Sequence, residues 1–244
     1  MLRHRAHAAR LAQAGGGREA MRQWRHVFGN TVASGPFLGM RYTPRWGDAS
    51  ALGKLVGSYE CELYPVIGDL LRAAPDRIIV IGSAEGYYSI GCARVVPTAR
   101  IDAFDTDGLA RWNTQKLAKD NGVSRRVFVH GAATPDSLAT VLTRGPALII
   151  CDCEGYEDIL LNPQHTPALA ACDILVELHE QSQEQLGENL AARFPGSHAT
   201  FIASTDRCVG DYASLTAISE SRRSLALREF RHAQRWLVLR TQTA

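Results

Sequence analysis

The chain has 244 residues, of which 45% are hydrophobic and 21% are charged, and its formal net charge at pH 7 is +2. This composition is ordinary for a globular protein, and at this length a core can form without disulfides or a structural metal. The small net charge gives no support to nucleic-acid or membrane-surface binding, and no run of about 18 apolar residues predicts a transmembrane helix.

Arginines are concentrated in the first 26 residues, which carry six of them against a single acid, Glu19. This segment lacks the apolar run of a signal peptide. Its arginine-rich, acid-poor composition also fits a transit peptide, but we favour a frayed start followed by a basic amphipathic helix.

The six cysteines lie mostly inside apolar runs of the sequence. Cys151 and Cys153 form a C-x-C pair, but no second pair follows at the spacing of a zinc site. We therefore expect buried free thiols and a cytoplasmic protein, because thiols stay reduced in that compartment.

The segment before residue 76 is predicted to be a helical and irregular cover for the site. Residues 35–42 are predicted to form turns around short extended segments, and a helix is predicted from about Tyr59. A segment of this kind can exclude water from a reacting centre, so Tyr59 and Glu60 are candidate cofactor contacts. The alternative is an ordinary helix start capped by Ser58.

From residue 77 the sequence alternates short apolar runs with helical stretches. The first run, residues 77–81, is continuously apolar and β-branched after its arginine, as expected of a strand covered on both faces. Further strands are predicted at residues 99–104, 126–130, 147–151, 173–178, 198–203 and 235–240. Helices are predicted after the first strand to about residue 96, at residues 108–121, 135–143 and 182–194, and once more before the last strand.

This alternation predicts right-handed β-α-β crossovers and a doubly wound, Rossmann-like α/β sheet. We expect about seven strands, mostly parallel, with an antiparallel strand near the C-terminus. The predicted domains are an N-terminal cover segment, residues 1–75, and a Rossmann-like domain, residues 76–244.

The first two strands end in residues typical of a nucleoside site, since ligands of such sheets lie beyond the carboxyl ends of the strands. The first strand runs into Gly82-Ser83-Ala84-Glu85-Gly86, whose glycines let a ligand approach the backbone. Its spacing is not the G-x-G-x-x-G of dinucleotide-binding enzymes. The second strand ends at Asp105, whose carboxylate can accept hydrogen bonds from ribose hydroxyls. The alternative for Asp105 is a helix cap, a role that Thr106 and Asp107 fill equally well.

Acids and a histidine follow the fourth and fifth strands. Asp152 and Glu154 point the same way if the chain is still extended there, and Glu177 and His179 share a face by the same rule. Placing such groups at neighbouring strand ends is costly unless a ligand or a reaction uses them. A purely structural, solvated role is the alternative.

The stretch from Ile78 to Glu180 resembles the class I methyltransferases that depend on S-adenosylmethionine (SAM), and specifically their FkbM-like branch. The resemblance is carried by four phrases in the right order and spacing, GSAEGYY, AFD, CDCEGYE and VELH, at residues 82–88, 103–105, 151–157 and 176–179.

The resemblance implies that the first turn embraces the methionine part of SAM, that Asp105 holds the ribose, and that Gly131-Ala132-Ala133 lies beside the adenine. The candidate cofactor-binding residues are Gly82, Ser83, Ala84, Glu85, Gly86, Asp105, Ala132 and Asp152, together with Tyr59 and Glu60. Ala84 replaces the family's usual middle glycine, and we expect altered packing there but no loss of binding.

The resemblance implies methyl transfer from SAM. We expect O-methylation of a small-molecule or peptide acceptor, without a nucleic-acid or membrane partner. The alternatives are a nicotinamide-dependent oxidoreductase and a catalytically silent protein that binds SAM. The catalytic candidates are His179 as the base, Glu177 to orient its ring or bind the acceptor, and Glu154. With an ordinary pKa of about 6.5, His179 would be neutral and basic near pH 7.

Asp152, Glu154 and His179 are also donors that a divalent metal ion could use to orient an acceptor oxygen. The same carboxylates can instead meet the methionine ammonium of SAM or a backbone turn, and neither needs an ion. We therefore do not favour metal dependence.

Overall fold

The computed structural model describes residues 16–43, 48, 50–180, 185–229 and 233–241. The chain forms two compact units. The first combines Met1–Pro65 with Thr205–Ala233, and the second combines Val66–Ser204 with Gln234–Ala244. The predicted domain boundary between residues 75 and 76 stays a prediction. Within the described ranges, no helix has both the length and the apolar content needed to cross a membrane.

The first unit contains helices α1 (Arg18–Phe28) and α2 (Ala51–Val56) and the first residues of α3 (Tyr64–Arg72). Helix α1 confirms the predicted basic amphipathic helix, because it buries Ala20 and Trp24 and leaves its arginines exposed. The frayed start predicted before it falls on residues 1–15, which lie outside the described part of the chain.

The helix predicted from Tyr59 begins instead at Tyr64, so its predicted start is wrong. Glu60 has a left-handed backbone (φ +51°), which an α-helix does not accommodate, and a 3-10 turn at Cys61–Leu63 precedes α3. Ser58 is not the cap of this helix, because its hydroxyl donates to the carbonyl oxygen of Ala226 at 3.3 Å.

The second unit is built on a seven-stranded sheet. Its strands are β1 (Arg77–Ile81), β2 (Arg100–Phe104), β3 (Val127–His130), β4 (Leu148–Cys151), β5 (Asp173–Glu177), β6 (Ser197–Ala203) and β7 (Arg235–Thr241). They lie in the order β3-β2-β1-β4-β5-β7-β6. Strands β1 to β5 are parallel, and β7 is antiparallel to both of its neighbours. The predicted fold class, mostly parallel with one antiparallel strand near the C-terminus, is confirmed.

The connections between these strands contain helices α4 (Tyr87–Val95), α5 (Gly108–Asp120), α6 (Pro135–Leu142), α7 (Glu157–Leu160) and α8 (Leu186–Ala192). Strands β1 and β4 are buried along their whole length, as their continuous apolar runs predict. Ile79, Ile149 and Ile174 of adjacent strands share one core cluster with side chains of α6 and α8. The helix predicted at residues 182–194 is found as α8, and residues 181–184 lie outside the described residues.

The helix predicted before β7 is present only as the four residues of α9 (Glu220–Arg223) within residues 205–229. The same segment forms 3-10 turns at Val209–Asp211, Ala213–Ala217 and Ser224–Leu227. Side chains hold it within the first unit, because the Arg207 guanidinium donates to Glu62 at 2.8 Å and also to Glu229.

Asp102 on β2 is a fully buried carboxylate whose partners are basic side chains. Arg100 donates two hydrogen bonds to it, each 2.9 Å long, and Nε2 of His130 lies 2.9 Å from it. Burial by itself raises the pKa of Asp102, but the hydrogen bonds with Arg100 and His130 outweigh burial and lower the pKa below its ordinary value of 3.8. The stability that this charge contributes is present above pH 3.8 and is lost as the pH falls through the lower pKa of the folded state.

We predict that Asp102→Asn lowers the free energy of unfolding by about 3 kcal/mol, because the basic groups around it lose their buried counter-charge. Chemical denaturation at neutral pH measures the effect. Asp120→Asn is the matched control: Asp120 pairs with Lys116 on the exposed surface of α5, and its loss should change the free energy by less than about 0.5 kcal/mol. Equal effects in the two variants would contradict a stabilising role for the buried charge.

Candidate cofactor and catalytic site

The turn after β1 is enclosed by the ends of the two neighbouring strands. The backbone N–H groups of Gly82 and Ser83 both donate to the carbonyl oxygen of Phe104 on β2, at 3.0 and 2.9 Å. On the other side, a Cβ added to Gly82 would lie 1.6 Å from the carbonyl oxygen of Asp152, which follows β4. Gly82 also has a left-handed backbone (φ +76°). Glycine is therefore required at this position.

This turn lies where the strand order reverses. From β1 the chain moves outward through β2 to β3, whereas β4 and β5 lie on the other side of β1. In a doubly wound sheet, the connections that leave the two central strands diverge at this point and open a crevice for a ligand. The predicted turn is thus at the expected ligand-binding end of the sheet.

Asp105 clamps the turn through its carboxylate. One oxygen accepts the N–H of Ala84 at 2.7 Å, and the other accepts the N–H of Asp107 at 2.8 Å. Asp107 is the residue that caps α5, with its side chain accepting the N–H of Leu109 at 2.9 Å. Since a carboxylate oxygen has two acceptor positions, Asp105 retains capacity for two hydroxyl donors. Its contact with a ribose stays a prediction.

The hydroxyl of Ser83 is the strongest indication of a ligand in this turn. Ser83 is 4% exposed, and its Oγ has no hydrogen-bond partner among the residues that the structure describes. Buried polar atoms are nearly always satisfied, so this hydroxyl lacks the partner that a polar group of a bound ligand would supply.

Two other candidate cofactor contacts, Glu85 and Ala132, lie in different loops of the sheet. Glu85 is half-buried within the turn, and Ala132 is exposed in the loop that follows β3. This loop starts beside the end of β2, because His130 stacks on Phe104 with ring centroids 4.6 Å apart. The predicted contact of Ala132 with an adenine stays a prediction.

Ala84, which stands where the family that the sequence resembles has its middle glycine, has a left-handed backbone with φ +46°. A residue with a Cβ is strained there by about 1 kcal/mol. The hydrogen bond from its N–H to Asp105 holds it in place. The consequence of this replacement is therefore backbone strain.

The second group of candidates lies where β4 and β5 end. Nε2 of His179 is 3.6 Å from Oδ1 of Asp152 and 3.8 Å from Oε2 of Glu154, as the sequence predicts for neighbouring strand ends. The strand does not continue through the two acids, because β4 ends at Cys151 and the chain turns at Glu154 (φ +60°) and Gly155 (φ +104°). Glu177 is buried within β5, in register with Trp236 of β7.

Glu157, which the sequence analysis did not single out, is the carboxylate bonded to the His179 ring. It is fully buried on α7, and its Oε1 lies 2.8 Å from Nδ1 of His179. It also accepts the N–H groups of Cys153 at 3.2 Å and of Gly155 at 3.0 Å. The contact with the His179 ring that the sequence analysis offered to Glu177 is thus made by Glu157. The only sequence signal for it is its place at the end of the CDCEGYE phrase.

The carboxylates around His179 change its titration. Burial by itself lowers the pKa of His179, but the hydrogen bond to Glu157 and the charges of Asp152, Glu157 and Glu154 outweigh burial and raise the pKa above 6.5. Burial raises the pKa of Glu157, and the hydrogen bonds from His179 and the backbone outweigh it and lower that pKa. His179 is therefore protonated to a greater extent near pH 7 than the sequence analysis expects.

Tyr59 and Glu60 belong to the first unit. The Lys54 ammonium lies 4.9 Å from the centroid of the Tyr59 ring, and Glu60 is buried, with its backbone N–H donating to Glu229 at 2.8 Å. Their predicted contacts with the cofactor stay predictions.

No protein-family model and no curated protein matches this chain. Similar solved structures include a methyltransferase from Geobacter sulfurreducens, 13% identical, covering 82% of this chain and 91% of that chain with a TM-score of 0.49. The O-methyltransferase TomG from Streptomyces achromogenes, in complex with SAM, is 16% identical and covers 93% of this chain and 90% of that chain with a TM-score of 0.48.

We predict that Ala84→Gly raises the free energy of unfolding by about 1 kcal/mol, because glycine removes the strain of the left-handed backbone. The matched control is Ala110→Gly within α5, where the backbone is helical and the same substitution should cost about 1 kcal/mol. Chemical denaturation of both variants should give effects of opposite sign. If Ala84→Gly destabilises the protein, the strain assigned to this turn is wrong.

Proposed function

We propose that the protein is a SAM-dependent methyltransferase of the FkbM-like type, which methylates a hydroxyl group of a small molecule or peptide. The observation that carries the proposal is a juxtaposition at the reversal of strand order. A turn clamped by Asp105 follows β1, and the His179 cluster lies at the ends of β4 and β5. The carbonyl of Asp152 packs directly on Gly82, so the two halves adjoin. Group transfer needs two ligands held side by side in this way.

The turn and its neighbours supply the cofactor half of the proposed site. The Ser83 hydroxyl and the glycine backbone would hold the methionine part, Asp105 would accept the ribose hydroxyls, and the loop with Ala132 would border the adenine. Asp152 lies at the junction of both halves and would meet the methionine ammonium. SAM, when bound, supplies an electrophilic methyl group on its sulfonium.

The cluster after β4 and β5 supplies the chemistry of the acceptor. A hydroxyl loses its proton as it gains the methyl group, and in this proposal Nε2 of His179 takes that proton. Asp152 and Glu154, within 4 Å of this nitrogen, stabilise the positive charge that the ring acquires. Glu177 is buried within β5, and its predicted binding of the acceptor stays a prediction.

Calorimetric titration tests the cofactor class. SAM should bind and NAD should not, because the turn lacks the G-x-G-x-x-G spacing. Binding of NAD alone would make the protein an oxidoreductase candidate. Release of S-adenosylhomocysteine in the presence of an acceptor hydroxyl then separates an enzyme from a silent SAM-binding protein.

The six cysteines support a reducing compartment. All are free thiols. Cys92, Cys151 and Cys172 are buried as expected, whereas Cys61 and Cys153 are partly buried and Cys208 is exposed. Burial raises the pKa of Cys92 to about 12, which leaves it unreactive. We propose a cytoplasmic location on this basis.

We predict that Asp105→Ala weakens SAM binding about 10- to 100-fold, the loss expected for a hydrogen bond to a charged group. Asp107→Ala is the matched control, because it removes the cap of α5 and one backbone contact of the same loop without removing the clamp on Ala84. Titration calorimetry should show nearly unchanged SAM affinity for the control. An unchanged affinity in folded Asp105→Ala would refute the ribose assignment.

We predict that His179→Ala lowers the turnover rate about 10²- to 10⁴-fold at saturating SAM, with little change in SAM affinity, because it removes the base. Since the pKa of His179 is raised, the wild-type rate should increase with pH through a midpoint above 6.5. A fall in turnover of less than about threefold would exclude the base role and leave Glu177 and Glu154 as the next residues to remove.

Treatment with a chelator distinguishes the role of His179 as a base from a role in metal binding. The donor atoms of Asp152, Glu154 and His179 lie within 4.8 Å of one another, a spacing that a divalent ion can bridge, and a metal would occupy the lone pair that the base needs. The base role predicts full activity after exhaustive chelation. Activity that is lost and then restored by a divalent ion would assign these three residues to metal binding.

A further inference from the structure

The strongest unassigned feature near the proposed site is the buried carboxylate of Glu157. We propose that Glu157 is a positioning residue that fixes the tautomer and the orientation of the His179 ring, so that Nε2 is the ring nitrogen that carries the lone pair. This inference rests on the proposed function for its catalytic meaning, but its structural content can be tested without any methyl transfer.

The tautomer follows from the donors that surround Glu157. Its carboxylate accepts the backbone N–H of Cys153 at 3.2 Å and that of Gly155 at 3.0 and 3.2 Å. A carboxylate in such a setting is an acceptor and has no proton to give. The 2.8 Å contact with His179 must therefore be a hydrogen bond that Nδ1–H donates. A neutral imidazole has only one N–H, so its Nε2 carries the lone pair.

The acids near Nε2 stabilise the ring once it has accepted a proton there. Nε2 faces Oδ1 of Asp152 at 3.6 Å and Oε2 of Glu154 at 3.8 Å, too far for direct hydrogen bonds. When the acceptor O–H bond breaks, its electron pair stays on the oxygen and its proton forms an N–H bond at Nε2. The ring then carries one positive charge among three carboxylates. The opposite tautomer would place an N–H where the proton has to arrive.

A structural role is the competing explanation for Glu157. Its hydrogen bonds to Cys153 and Gly155 also staple the turn that contains Glu154, so a substitution will lower stability in either case. Stability alone cannot separate the two roles. The protonation of the two imidazole nitrogens can separate the two roles. Hydrogen bonds that only stabilise the turn do not determine which ring nitrogen carries the proton.

The decisive measurement is a ¹⁵N spectrum of the histidine side chains of the wild-type protein, recorded as the pH is raised until the His179 signals stop shifting and the imidazole is neutral. The signals of His179 are assigned by their absence in His179→Gln. The expected result is a protonated Nδ1 and an unprotonated Nε2. A proton on Nε2 instead would overturn the proposal, whether or not the protein transfers a methyl group.

Variants of Glu157 test its contribution to the turnover rate. Glu157→Ala should lower turnover about 10- to 100-fold, as removal of a group that orients a functional histidine does, while SAM affinity stays within about twofold and the ring loses its fixed tautomer. Glu157→Gln should rescue most of the turnover, because an amide oxygen can still accept from Nδ1–H. Asp158→Asn is the matched control on the same helix, since Asp158 pairs with Arg193, and it should leave both readouts unchanged. Glu157→Ala that is folded, fully active and unchanged in tautomer would overturn the proposal.

Discussion

The site depends on one close contact, between Gly82 and the carbonyl oxygen of Asp152. Strands β1 and β4 pair in parallel with Ile81 opposite Cys151, so the next residue of each strand arrives at the same level of the sheet. The N–H of Asp152 donates to the carbonyl of Ile81 at 2.9 Å, and no Cβ fits at Gly82. The two connections therefore begin in backbone contact and diverge from there. One becomes the turn that Asp105 clamps, and the other carries the acids that surround His179. The reversal of strand order places both halves of the site beside each other.

Most of this architecture is readable in the sequence, because its signals are local. Strands β1 and β4 are continuous apolar runs, and such runs between helical stretches predict a buried parallel sheet. In a parallel sheet all carboxyl ends meet at one edge, so Asp152 and His179 could be expected to lie together without any knowledge of the loops. The cap of α5 follows the same logic, since Asp107 stands directly before the helical segment.

What the sequence does not show depends on turns and on distant partners. Side chains alternate between the two faces of a strand, so Asp152 and Glu154 share a face only if the strand continues through them. In the structure the chain turns at Glu154, and Glu157 lies against His179. Likewise, the segment after β6 joins the first unit through Arg207 and Glu62, which are 145 residues apart. A pair so distant in sequence leaves no periodic pattern. No local feature of residues 205–229 therefore argued against the helix predicted before β7.

The two halves of the proposed site are held by different physical means, and this explains how the turn after β1 tolerates an alanine at position 84. The turn after β1 is held by backbone hydrogen bonds to Phe104 and by the Asp105 clamp on the N–H of Ala84. Several bonds fix its path, so the strain of a left-handed alanine can persist without releasing the turn. The His179 half depends on a buried charge instead. Glu157 is fully buried, and its charge is balanced by the backbone N–H groups of Cys153 and Gly155, the thiol of Cys153 at 3.4 Å and the imidazole of His179. A buried carboxylate that loses such partners costs several kcal/mol, so substitutions should be tolerated less readily on the catalytic side than on the cofactor side.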